Sequence, residues 1–195
     1  MSETESSASE SSTIEDDHRR HPAVIATAIA IPVALVVGVL VAAFLAGRDP
    51  VHAPVSLGAV PAPASGSPEC KTLMAALPDT LGDLERAELV DPAPESAAAW
   101  QPVEGEPVVL RCGLDRPLEF NQASLLQVIN GVQWFEVSGE DIGSTSSTWY
   151  LVDRGVYVAL TLPDTVGPTP IQQVSETVAD SLEQQPLDPA PLPGS

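Results

Sequence analysis

From Ala23 to Gly47 the chain reads AVIATAIAIPVALVVGVLVAAFLAG, a run with no charged residue, set between the cluster His18-Arg19-Arg20-His21 and Arg48. A bilayer core about 30 Å thick needs roughly 20 apolar residues at about 1.5 Å rise each, so a helix over 23–47 is long enough to cross with some tilt. Pro32 does not oppose this, because proline is tolerated inside membrane helices. Arg19 and Arg20 stand at one mouth of the run and only Arg48 at the other. That bias keeps the N-terminal tail in the cytoplasm and sends the rest of the chain outside. A cleaved signal peptide is the competing reading, with Val41-Ala42-Ala43 as its small-x-small site. Its apolar region is typically only about 7 to 15 residues, which favours an uncleaved signal-anchor and a single-pass protein of the cell membrane. Cys70 follows Ser67-Pro68-Glu69 rather than a lipobox, which argues against a lipid anchor there.

Five segments follow: an acidic, serine-rich cytoplasmic tail (1–22), the transmembrane helix (23–47), a Pro/Ala-rich tether (48–69), an extracytoplasmic domain (70–183) and a Pro-rich tail (184–195). The first tail is expected to be disordered, since it holds too few apolar residues to bury. Its serines and threonines are candidates for phosphorylation. The tether's prolines favour extended, polyproline-like backbone that holds the domain off the membrane. The last segment offers nothing to pack and is expected to be disordered. In the helix, Ala26, Ala30, Ala34, Gly38, Ala42 and Ala46 recur every fourth residue, a small-residue ridge along which two copies can approach as a homodimer.

Within the domain the expected class is α+β, an antiparallel sheet of about four to five strands with two packing helices. Cys70 to Leu77 reads as a short helix stopped by Pro78. Asp79 to Val90 fits a helical turn or a short strand, and Asp91 to Pro107 reads as a loop containing Trp100. Val108 to Leu114 alternates as a strand, with Val108, Leu110 and Cys112 on one face. Leu125 to Ile129 and Val132 to Val137 flank Asn130-Gly131, the dipeptide suited to a type I′ hairpin. Thr148 to Val152 and Val156 to Leu162 flank Asp153-Arg154-Gly155, a three-residue loop. Thr169 to Leu182 carries helix start signals, with Thr169 as cap, Pro170 in the first turn and Gln172 completing a capping box. Ile171, Val174, Val178 and Leu182 form its apolar stripe.

Cys70 and Cys112 both fall on the exported side, where a disulfide persists, and a bond between them is expected. Free thiols or a metal pair are the alternatives, the latter poorly served without CxxC spacing or partner histidines. His18, His21 and His52 all precede the domain. A Ser-His-Asp triad, a Cys-His pair and histidine zinc sites are therefore unavailable to it, and neither metal nor cofactor is expected. The only lysine, Lys71, lacks a Ser-x-x-Lys pattern. Acid pairs such as Glu104 with Glu106, or Glu140 with Asp141, are what a carboxylate-dependent hydrolase would use, but any acidic loop offers them. With 27 acids against 8 bases and a net charge of -19, nucleic acid is excluded as a partner. Trp100 is a core plug or a ligand platform, and Arg111 and Arg154 are candidates for contacting a ligand or partner or for pairing with acids such as Asp153 or Asp115.

The order CKTLMAALP, a tryptophan before VVLRCGL, a hairpin ending in QWF, TWYLVDRGVYVALTLP and a final helix resembles the actinobacterial family labelled domain of unknown function 3515, from about Glu69 to Leu182. Gln101 to Pro107, QPVEGEP, is longer than the tight turn expected of that family there. The resemblance implies a single-pass, membrane-anchored envelope protein without an assigned activity. Together these readings predict a non-enzymatic interaction module that binds another envelope or membrane protein. The alternatives are a binding or sensing domain for a small molecule, lipid or cell-wall fragment, with a cleft near Trp100, Trp134 or Trp149, and, third, the hydrolase.

Overall fold

The computed structural model describes residues 22–46, 53–140 and 143–192. The tail 1–21, Arg48 and Asp141 lie outside them, and so do the expectations that rest on those positions. Two compact units divide at Pro50. The first contains one helix, α1 (Pro22–Ala46), of 25 residues with Pro32 inside. Its described side chains, 31–44, are exposed, among them Ile31, Leu35, Leu40 and Phe44. Among the described residues no helix is long and apolar enough to cross a membrane.

The second unit is α+β. Helix α2 (Pro68–Ala76) precedes strands β1 (Thr80–Leu81), β2 (Leu84–Arg86), β3 (Ala97–Gln101), β4 (Val108–Leu114), β5 (Gln127–Ile129), β6 (Val132–Val137), β7 (Ser146–Leu151) and β8 (Tyr157–Pro163), and α3 (Thr169–Ser181) closes the order. The strands form one sheet in the order β1-β2-β3-β4-β8-β7-β6-β5, with every pairing antiparallel. Eight strands replace the expected four to five. The five legible in the sequence are β4 to β8; β1 and β2 come from the ambiguous stretch and β3 from the segment read as a loop. Ala97-Ala98-Ala99 has poor strand propensity, but β3 lies between β2 and β4 with Ala98, Ala99 and Trp100 buried, and this tertiary setting outweighs propensity.

Helix α2 starts where Ser67 accepts a hydrogen bond from the Cys70 amide, with Pro68 in the first turn, so it begins two residues before the predicted start. Helix α3 corrects the predicted capping box. Pro168 takes the N-cap place without a side-chain bond, because its backbone (φ -74, ψ -8) is already helical and draws Thr169 into the first turn. The apolar stripe of α3 stands as predicted: Ile171, Val174, Val178 and Leu182 are buried. They meet Val108, Leu110 and Cys112 of β4, Val158, Leu160 and Leu162 of β8, and Trp134 of β6 in one core. The Cys70–Cys112 disulfide is formed, with Cα atoms 5.6 Å apart, and bonds α2 to β4. Trp134 Nε1 donates to Ser175 Oγ (2.9 Å), and that hydroxyl donates to the Ile171 carbonyl (2.6 Å), so the polar atoms buried between sheet and α3 are satisfied.

Two flanking segments differ from expectation. The Pro/Ala-rich stretch lies along the domain from Ala53 onward instead of standing off as a tether. Val55 bridges Leu89 in parallel, and the Ala64 amide donates to the Gly113 carbonyl at 3.0 Å. Gly113 (φ +86) sits at a shift in the β4–β8 register, and a Cβ there would collide with the backbone of Ala64 and Ser65. Only glycine admits so close an approach. The C-terminal stretch is also bound: Ala190 bridges Asn121, and the Gln185 amide donates to the Asp153 carbonyl at 2.8 Å. The first was expected to be an extended tether and the second disordered; the contacts that bind them are made largely by backbone groups, which composition does not reveal.

Removing both sulfurs by Cys70→Ala with Cys112→Ala frees a loop with a sequence separation of 42. The expected loss is about 4 kcal/mol from chain entropy, read as a lower midpoint in denaturant unfolding, with a steeper slope because the unfolded chain without its crosslink exposes more surface. A loss below about 1 kcal/mol would show that the folded packing holds this loop without the bond.

Candidate functional site

Of the residues singled out in the sequence, Trp100 is part of the core. It is fully buried, its indole N–H donates to the Pro78 carbonyl at 3.0 Å, and the Arg86 guanidinium carbon lies 5.2 Å from the ring centroid. Arg86 also donates to the Leu77 carbonyl, so one guanidinium ties β2 to β3 through the ring and to the end of α2 through the hydrogen bond. No ligand can stack on Trp100 without unfolding this corner. Trp134 is buried as well, and Trp149 packs partly against the core.

β7 ends at Leu151 and β8 begins at Tyr157, so the connection has five residues instead of the expected three; Arg154 is at its middle and Gly155 has a positive φ (+74). The Arg154 guanidinium is turned inward. Nη1 lies 2.6 Å from Asp153 Oδ2 and donates to the Asp153 carbonyl, and Nη2 donates to the Gly131 carbonyl at 3.2 Å. Asp153 is fully buried and Arg154 is 4 % exposed. Gln133 and Gln184 add longer hydrogen bonds to Asp153 Oδ2. Asp153 Oδ1 and Arg154 Nε have no partner. The pair thus joins two hairpins, since Gly131 belongs to the β5–β6 turn, and it consumes the charge that the sequence offered to a ligand. A recess of about 470 Å³ adjoins it, lined by Arg154 together with Glu69, Thr72, Ser181, Glu183 and Gln185. Opposed carboxylates and a spent arginine give this recess no net attraction for an anion.

Arg111 is different. In β4 it faces away from the helices, opposite Ala97 on one side and Ala159 on the other. The same register continues from Ala159 to Tyr150 and from Tyr150 to Phe135. The adjacent row pairs Val109 with Thr161, Thr161 with Thr148 and Thr148 with Val137, and the two threonine hydroxyls are 3.1 Å apart. Arg111, Tyr150, Thr148 and Thr161 are all half-buried. The side chain of Arg111 has no hydrogen-bond or ion-pair partner among the described residues, and burial pushes the pKa of its guanidinium below its ordinary value. The group still carries its charge at neutral pH.

One end of this outer face is closed by Phe120, whose ring lies 5.5 Å from Phe135 and 6.4 Å from Tyr157. The Tyr157 hydroxyl donates to the Asp188 carbonyl at 2.9 Å, and Arg116 pairs with Asp188 Oδ2 at 3.1 Å. Sequence reasoning missed Tyr150, Tyr157 and Asp188. The alternation of β7 and β8 was the signal for the tyrosines, and the Asp188 contact had none.

Among the acid pairs, Glu104 and Glu106 are exposed on the β3–β4 loop, and Asp141 lies outside the described residues. Among the described residues no group of three or more His, Cys, Asp or Glu could hold a metal ion.

Two measurements check this site. Arg154→Met leaves the buried Asp153 carboxylate without its cation and is expected to cost about 3 to 5 kcal/mol in unfolding free energy. A cost below 1 kcal/mol would mean that water or another base replaces it. The chain's two tyrosines, Tyr150 and Tyr157, are both held above the ordinary 10.0 by burial, reinforced for Tyr150 by Glu119 and for Tyr157 by Asp188 and opposed there by Arg116. The folded state therefore binds the phenolic proton more tightly than the unfolded one. This stabilisation is complete below about pH 10 and is lost as pH rises through the raised pKa values. Ultraviolet titration of the folded chain is expected to show no phenolate step at the ordinary value, and denaturant restores one there.

Comparison with curated proteins finds no match. Comparison with solved structures finds none either. Residues 29–187 match the family described as protein of unknown function (DUF3515), a stretch that begins inside α1 and takes in all eight strands and α3. The chain belongs to that family.

Proposed function

We propose that the chain is a single-pass membrane protein whose α+β domain stands outside the cytoplasm and binds another envelope or membrane protein through the outer face of its sheet, without performing chemistry. The observation that carries this reading is the half-buried Arg111, without a side-chain partner among the described residues, on a patch with Tyr150, Thr148 and Thr161 whose nearby acid, Glu119, acts on Tyr150 instead. An unpaired charge that is partly desolvated is costly, and a partner carboxylate or hydroxyl cluster recovers that cost. The surrounding domain is acidic: from Asp49 onward 21 acids less 5 bases leave -16. A local positive spot in such a field steers an acidic surface to one place.

The address rests on the uncharged run 23–47, on the basic residues at its N-terminal side and on the Cys70–Cys112 bond, which persists in an oxidising compartment. The family match begins within α1, in keeping with helix and domain forming one unit of inheritance. A small-molecule reading has less support, since Trp100 and Trp134 are fully buried and the 470 Å³ recess is lined by no tryptophan.

A photo-crosslinking amino acid at Thr148, in native membranes, is expected to give one discrete heavier species. Arg111→Glu should reduce that yield at least tenfold, and the same probe at Glu104 should give none. An adduct whose yield ignores Arg111→Glu would overturn the reading.

A further inference from the structure

The sheet ends at β5, beyond which no strand lies among the described residues. Such an edge displays unpaired N–H and C=O groups, and soluble proteins ordinarily blunt it with charges, proline or a bulge. β5 itself carries none of these, although the Gln127 side-chain amide donates to the Glu136 carboxylate of neighbouring β6 at 3.1 Å. From Phe120 to Phe135 the chain carries no charged residue, although the whole chain holds 27 acids. Leu125 is 90 % exposed and Val128 68 % exposed.

The edge is also held in place. The type I′ turn at its end is fixed by Asn130 Nδ2, which donates to the Gln172 carbonyl of α3, and by the Arg154 bond to Gly131. Before it, Ser124 Oγ accepts from the Asn121 amide, Asn121 Oδ1 accepts from the Ala123 amide, both side chains donate to the Glu119 carbonyl, and Phe120 is buried against Phe135. An exposed apolar strand anchored at both ends does not have to be ordered when something pairs with it.

The register says which groups are open. Antiparallel ladders alternate pairs that exchange hydrogen bonds with pairs that do not. Ile129 and Val132 flank the two-residue turn and exchange theirs, so Val128, opposite Gln133, turns its N–H and C=O to the free edge, and Leu126 does so two residues earlier. Two copies related by a two-fold axis at Gln127 match these groups to one another. Leu126 of each copy then faces Val128 of the other, and Gln127 faces its own copy. An isologous contact of this kind is complementary by construction.

We infer that β5 pairs with β5 of a second copy of this chain, extending the two sheets into one across an antiparallel, two-fold interface. The two-fold match of Leu126 with Val128 is what a second copy supplies. Two domains of this acidity repel wherever their carboxylates meet, and the uncharged run is where they approach without that repulsion. With so few open groups the contact is weak in dilute solution, and holding copies together raises their effective concentration. The inference is independent of the partner proposed for the outer face.

Both native cysteines are bonded to each other, so Gln127→Cys supplies a single free thiol. At a non-hydrogen-bonded antiparallel pair the two Cβ atoms lie about 4.5 to 5.5 Å apart, within reach of a disulfide after a small adjustment. The purified full chain in dodecyl maltoside micelles is oxidised with copper–phenanthroline and followed on non-reducing gels. Gln127→Cys is expected to form covalent dimer at least tenfold faster than Val103→Cys, an exposed position on the β3–β4 loop. Adding Val128→Lys, or Val128→Pro, which removes an amide that the β5–β6 ladder does not use, should return the rate to that of Val103→Cys. Equal rates for Gln127→Cys and Val103→Cys would overturn the inference. So would a dimer rate indifferent to both Val128 substitutions, which would place the contact elsewhere in the chain. In membranes, a Gln127→Cys adduct chiefly to a protein of another mass would show that the edge takes a foreign strand.

Discussion

Strand β4 sits near the middle of the sheet, and its two faces live in different solvents. Val108, Leu110 and Cys112 face the helices and are fully buried, whereas Val109 and Arg111 face outward and are half-buried. Cys112 is bonded to Cys70, so the covalent link of the fold runs from the most central strand to the first turn of α2. With α2 held there, Leu73 and Leu77 complete a core that α3 closes with its own stripe. In a domain of this size the buried area alone leaves a small margin, and a crosslink that restricts the unfolded chain has a large relative effect. The same bond fixes which face of the sheet remains open, because both helices are committed to the other.

The segments before and after this core act as straps. Residues 53–67 run to a glycine bulge in β4, and residues 185–190 run over the β7–β8 loop to Asn121. The second strap crosses the buried Asp153–Arg154 pair, whose carboxylate also accepts from Gln133 and Gln184. A buried ion pair gains little over apolar packing, but each member is costly to leave alone. Its effect here is one of placement: β6, the β5–β6 turn, the β7–β8 loop and the C-terminal strap each supply a group to it, so none can shift without stranding a charge.

Local patterns in the sequence made much of this legible. The alternation of β4, β6 and β8, the Asn130-Gly131 turn and the spacing of Ile171, Val174, Val178 and Leu182 all name a face to bury, and each lies as read. What failed was whatever depended on distant partners. Ala97–Gln101 has the composition of a loop and becomes a strand because β2 and β4 flank it. Pro168 displaces Thr169 as the residue preceding α3 because its ring already holds helical backbone. The proline-rich straps read as a free tether and a disordered tail since their contacts are made largely by carbonyls and amides, which composition does not distinguish. For the candidate site, alternation placed Arg111 on a strand, but only the register shows that it faces away from the helices, and the burial of Trp100 and Arg154 follows from neighbours 22 or more residues distant.

Five bases serve this acidic domain, and their distribution separates architecture from recognition. Arg86 lies over Trp100, Arg116 holds Asp188, and Arg154 is enclosed with Asp153. Three cations are thereby spent on joining elements that are far apart in sequence. Lys71 on α2 and Arg111 on β4 have no such side-chain partner among the described residues; Lys71 is exposed and keeps its hydration, whereas Arg111 is half-buried on the sheet face the helices leave open. The repulsion among surplus carboxylates then makes the remaining surface selective. Approach is least opposed where a cation is unspent, on the outer face of β4, and where charge is missing altogether, along β5. Those two places differ in what they favour. A lone cation draws an acidic or hydroxyl-bearing surface, whereas a neutral edge with open backbone groups draws another strand whatever its charge elsewhere. A single domain can therefore hold a partner on its face and a copy of itself at its edge, because neither contact uses the other's residues.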